Sequence, residues 1–191
     1  MKGKRELILQ SVLDIMMETG MNGLKVSDIA ERADIGKGTV YEYFPSKEDL
    51  FLGAVEYGLD MCVAHISESV SGESGFEDSF QALIDSIIEI TGKAPFLSMI
   101  GDSSNMPFTG NAIGRLRATA MGIMDAMTDI LDGIISKGVA EGIVKKPEDP
   151  LYIQSLVITI ANMTMHNTQT GGRSRDDLSA FFHEYCLKLL S

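Results

Sequence analysis

The sequence predicts an all-α protein of about nine helices. Three observations carry that expectation. Apolar residues recur at helical spacing along most of the chain, with no convincing alternating strand. Capping residues and helix breakers punctuate the apolar stretches. The composition of the 191 residues, 45% apolar and 23% charged, suits a globular core and not a disordered chain. At roughly 150 residues per domain, the length allows one or two compact units.

The elements follow in order. Ile8, Val12 and Ile15, joined by Leu9, Leu13 and Met16, mark a first helix from about Lys4 to Thr19, closed by Gly20. Ser27 is placed to cap a second helix ending near Ala33, with Asp28 favourable to its dipole. A third helix runs from about Lys37 to Phe44 after a tight turn, and two short helices so joined form a helix-turn-helix. "PSKEDL" opens a fourth at Ser46, with Asp49 as capping partner, and that helix continues to about Val70. "SGESG" at 71–75 is a small-residue break, after which Ser74 and Glu77 cap a fifth helix ending near Gly92. Pro95 fits the first turn of a short sixth helix, and 101–110 reads as a loop. A seventh spans roughly 111–138, and Asp149 with Pro150 starts an eighth that ends at Gly171 and Gly172. Ser174 with Asp177 starts a ninth.

Several function classes find no support. No apolar block follows the basic start, and no run of 18 or more apolar residues exists, so a cytoplasmic protein without a membrane span is expected. Cys62 and Cys186 match no disulfide framework. No Ser/His/Asp or paired-carboxylate pattern suggests an enzyme, and no cofactor or metal is expected. Cys62 and His65 share a helix face, but two ligands do not make a metal site. "GDSSNMPFTGNAIG" lacks the Gly-Lys-Ser/Thr ending of a phosphate loop.

The third helix carries the chemistry. Val40 and Phe44 face one way, and Lys37, Gly38, Thr39, Tyr41 and Tyr43 face the other. Entering a major groove N-terminus first, such a helix would present Lys37 to guanine acceptors, Gly38 for close approach, and the hydroxyls of Thr39, Tyr41 and Tyr43 to phosphates. Lys47 and the free N–H groups opening the next helix make a second phosphate site. Charge does not decide the matter. The net charge is −11, and residues 1–50 carry seven Lys/Arg against nine Asp/Glu. Asp34, Glu42, Glu48 and Asp49 would repel phosphate if they faced it, so spacing alone also permits a solvated face.

At this point "KVSDIAERADIGKGTVYEYFPSKEDLF", Lys25 to Phe51, resembles the signature of the TetR family of transcriptional regulators. The resemblance is dense over about residues 5–55 and includes the Lys-Gly-Thr run, the Tyr-x-x-Phe and the Ser-Lys-Glu-x-Leu. It implies a DNA-binding head over residues 1–46, a ligand-binding and dimerisation body over 47–191, and a connecting helix over 47–70. It also implies a homodimer on a double-stranded DNA operator. Ser27 falls at a phosphate-touching position, Lys37 and Gly38 at base-contacting positions, and Thr39, Tyr41 and Tyr43 at base or phosphate positions. Lys47 falls at a further phosphate contact. Asp34 stands where many members have glycine, and Gly36 where a serine often meets phosphate. Glu42 inherits no DNA contact.

In the body, Met121 and Met124, with Phe80, Phe96, Met99, Phe108 and Tyr152, are candidates to line an apolar cavity, with Arg115, Asn162 and His166 as its polar groups. The same methionines serve equally as core packing. The last two helices offer an interface for a second chain through Leu156, Ile160, Met163, Leu178, Phe181, Phe182, Tyr185 and Leu189. The expected function is a ligand-responsive dimeric repressor, released by a small apolar or amphipathic effector. A DNA-bound adaptor that recruits a protein, and a helical enzyme or carrier with a vestigial head, are the alternatives.

Overall fold

The computed structural model describes residues 3–19, 24–93, 110–145, 147 and 149–190. Among these there are eight helices and no strand: α1 (Lys4–Thr19), α2 (Val26–Arg32), α3 (Lys37–Tyr43), α4 (Lys47–Ser71), α5 (Phe76–Lys93), α6 (Gly110–Ala140), α7 (Pro150–Thr170) and α8 (Arg175–Leu190). The fold class is as expected. Gly20, the short helix at Pro95 and the loop at 101–109 lie outside the described residues.

Contacts divide the described chain into two compact units. The first holds residues up to 61 together with 110–120, and the second holds 62–93 and 121–190. In the first unit Ile8, Leu9 and Val12 of α1, Ile29 of α2, Val40 of α3 and Leu50, Leu52 and Ala54 of α4 are essentially without exposure. Gly53 explains how closely α4 is seated. A Cβ there would stand 2.9 Å from Phe44 Cε1 and 3.3 Å from Leu9 Cδ2. At the far ends of α1 and α2, Arg32 grips Glu18 with two hydrogen bonds of 2.8 and 2.7 Å. That fork holds the Glu18 carboxyl below its usual pKa.

In the second unit α5 packs against α7 and α8. Its core gathers Phe76, Phe80, Leu83 and Ile84 of α5, Leu131, Ile134 and Ile135 of α6, Ile153, Leu156 and Ile160 of α7, and Leu178, Phe182, Cys186 and Leu190 of α8. Phe76 and Phe80 stack at 5.5 Å. By length and composition α4 could cross a bilayer, but half of that stretch is buried inside the fold, the pattern of a core helix.

Most caps stand where the sequence places them. Ser46 Oγ accepts the Asp49 N–H at 3.0 Å, Asp149 accepts the Leu151 N–H at 2.9 Å, and Ser174 accepts the Asp177 N–H at 3.2 Å. Gly171 ends α7 in the left-handed region at φ 62°. Two expectations are corrected. Lys25, not Ser27, is the N-cap of α2 and makes no side-chain cap bond, while the Ser27 hydroxyl donates to Asp28 at 2.9 Å. The start of α5 is capped from afar, because Glu141 accepts the Phe76 N–H at 3.0 Å. Glu77 pairs instead with His183.

Candidate nucleic-acid interface

The turn between α2 and α3 is built by short-range rules. The Ala33 N–H closes on Ile29 at 2.9 Å, and Asp34 then takes φ 53°. Few non-glycine residues adopt that region, and aspartate is among the tolerant ones. The Ile35 N–H returns to the Ala30 carbonyl at 3.0 Å, and Ala30 itself is buried. Gly36 caps α3 with extended backbone.

This turn fixes which face of α3 is free. Val40 and the following Phe44 are buried, with Arg5 over the Phe44 ring at 5.4 Å. Lys37, Gly38, Tyr41, Glu42 and Tyr43 are exposed, and Thr39 is half-buried. Tyr41 and Tyr43 keep 51% and 43% of their surface in water. A Cβ at Gly38 would meet nothing within 4 Å, so the fold does not demand glycine there. Lys47 is exposed at the first turn of α4. Ser27 is half-buried, with its hydroxyl directed to Asp28. Lys37, Gly38, Thr39, Tyr41 and Tyr43 therefore share one element.

With this geometry, residues 8–54 match the profile of the bacterial regulatory proteins of the tetR family. Over these residues the chain is similar to that family. It is 31% identical over 113 residues to the transcriptional regulator YuxN of Bacillus subtilis, a match covering 57% of this chain and 38% of that one. It is 22% identical over 172 residues to the fatty acid metabolism regulator protein of the same organism, covering 86% and 84%. Among solved structures it resembles the transcriptional regulator FadR from Bacillus subtilis in complex with stearoyl-CoA, at TM-score 0.67 and 22% identity over 96% of each chain.

The body candidates are placed less uniformly. Phe80 is a core residue, stacked on Phe76. Met124 is partly buried against the same core, and Met121 is 63% exposed. Tyr152 is at the surface and donates its hydroxyl to the Leu189 carbonyl at 3.0 Å. Arg115 lies in the first unit, ion-paired with Asp49 and Glu56. Asn162 and His166 line an open cleft of about 330 Å³ with Met163, Asn167, Arg173 and Phe181. Phe96, Met99 and Phe108 lie outside the described residues. Of the residues assigned to a partner-facing surface, Leu156, Ile160, Leu178 and Phe182 are buried in the core of their own chain, which removes them from such a surface. Met163, Tyr185 and Leu189 are exposed, and Phe181 is half-buried. Burial raises the Cys62 thiol to about 11 and that of Cys186 to about 12, so both stay protonated near neutral pH.

Proposed function

We propose that this regulator is a homodimeric, cytoplasmic repressor that leaves a palindromic operator when its body binds an amphipathic acyl thioester. Residues 1–46 serve as the DNA-binding head and 47–191 as the body, with α4 joining them. The observation that carries the reading is the face of α3, where Lys37, Gly38, Tyr41 and Tyr43 are exposed. The ligand class is suggested by the similarity to a fatty acid regulator and to a structure holding stearoyl-CoA.

The test begins by selecting duplexes from a random pool. Binding is then repeated with long-chain acyl-CoA. A coupling of about 1–3 kcal/mol between the sites lowers operator affinity roughly 5–150-fold, and operator DNA weakens acyl-CoA by the same factor. If acyl-CoA binds and operator affinity does not move, the adaptor reading replaces this one.

Lys37 and Lys47 are given different work. Lys37, at the start of the exposed α3 face, reads bases, so Lys37→Ala is expected to cost about 1–3 kcal/mol on the selected site and blur preference at one position. Lys47 meets phosphate, so Lys47→Ala is expected to weaken all duplexes alike and reduce the salt slope by about 1. Titrations at several salt concentrations separate the two. Unchanged affinity, preference and slope in both variants would reverse the assignment.

A further inference from the structure

Arg115 stands in the second turn of α6 and is directed at α4. Nη1 donates to Asp49 Oδ1 at 3.2 Å, and Nη2 donates to both carboxylate oxygens of Glu56 at 3.0 Å. Ala112, three residues earlier on α6, is buried. Asp49 and Glu56 are seven residues apart, so they lie on one face of α4 about two turns from each other. One guanidinium therefore grips α4 at two points along its length. A planar fork with several fixed donors suits such a two-point grip.

What the grip holds is the part of α4 nearest the proposed DNA contacts. Asp49 is also the capping partner of Ser46, and Lys47 lies between them in sequence. One turn after Asp49, Gly53 sits against Phe44, the residue that ends α3. A rotation of the first two turns of α4 would therefore move Lys47 directly and α3 through Phe44. The three side chains are 45%, 43% and 27% exposed, so these pairs add little to folding stability. Their consequence is orientation.

We propose that Arg115 is a positioning residue for DNA binding, clamping the start of α4 through Asp49 and Glu56 so that Lys37 and Lys47 meet the duplex together. This rests on the DNA-binding reading above. The clamp also accounts for an arginine that the sequence had placed in a ligand cavity.

Two variants cut the same bond with opposite changes of charge. Arg115→Ala makes the chain more negative by one, and Glu56→Gln makes it less negative by one. If only long-range charge mattered, the first would weaken DNA binding and the second would strengthen it. Loss of the clamp weakens both. Measured on the selected duplex at fixed salt, Glu56→Gln is expected to bind roughly two- to five-fold more weakly, and Arg115→Ala roughly two- to ten-fold, the range that exposed ion pairs can supply. On a scrambled duplex neither orientation-dependent loss appears. Melting midpoints within a few degrees of wild type show that folding is not the cause. Should Arg115→Ala melt early, the nearly isosteric Glu56→Gln decides alone. Glu56→Gln binding the selected duplex as tightly as wild type, or more tightly, overturns the proposal. Wild-type protein that selects no sequence overturns the DNA-binding reading and the clamp together, a result read on wild type alone.

Discussion

Phe182→Ala is expected to lower the stability of the second unit by about 3–5 kcal/mol. Phe182 has no exposed surface, and its ring meets Phe181 edge-on at 5.6 Å. It belongs to the cluster that holds Phe76, Phe80, Leu131 and Ile160, contributed by three other helices. Truncation removes the transfer free energy of the ring and leaves a cavity that helices fixed on all sides can fill only in part. Natural domains have only about 5–15 kcal/mol in hand, so the loss is a large share. Denaturant melts should show a lower midpoint with an unchanged slope. Tyr185→Ala, one turn away on the same helix, should cost far less in the protomer, because Tyr185 is 38% exposed. Equal losses for the two variants would mean that the inward face of α8 has been misassigned.

That contrast shows where the sequence was legible and where it was not. Features set within a few residues were readable. Both ends of α1 stand where they were expected, as do the caps at Ser46, Asp149 and Ser174. Each depends on a side chain and backbone groups within one turn. Features set by distant neighbours were not readable. Glu141 caps α5 from 65 residues away, and this leaves Glu77 free for His183. Arg115 looked like a polar group for a cavity, and nothing in its local pattern signals Asp49 and Glu56, 66 and 59 residues earlier. Ser27 illustrates a smaller shift. The backbone enters α2 two residues sooner than the capping pattern suggested, which moves Ser27 inside the first turn. In α8 periodicity found the apolar stripe but could not divide it. Leu178, Phe182, Cys186 and Leu190 form one row and Phe181, Tyr185 and Leu189 the next, and both rows read as apolar. Only packing shows that the first row is already used.

The second row motivates the last prediction. Tyr185→Glu is expected to give a monomer that has lost its operator. Phe181 stacks on Tyr185 at 5.9 Å, Phe181 and Met163 line one cleft, and Tyr152 is bonded to the Leu189 carbonyl. These contacts join Met163, Phe181, Tyr185, Leu189 and Tyr152 into one surface in which four residues are 36–39% exposed. Leu151 at 64% and Ile158 at 43% add to the apolar surface of α7. Patches of this kind on a folded chain mark contact surfaces. In a two-fold dimer the same patch meets its copy, so a substitution enters the interface twice. An unpaired carboxylate buried there costs about 3–5 kcal/mol at each appearance, more than a modest interface can absorb. The consequence for DNA is larger than the loss of half the contacts. Once one head is bound, the second meets its half-site at an effective concentration set by the dimer, and avidity of this sort is worth about 10²–10⁴. Operator affinity should fall by about that factor while helical content is retained and the weaker single-head binding persists. Sedimentation and operator titration, with Tyr185→Phe as the control that stays dimeric, check both halves. A Tyr185→Glu chain that still sediments as a dimer, or a wild-type monomer that binds its operator tightly at micromolar concentration, would remove this face from the mechanism.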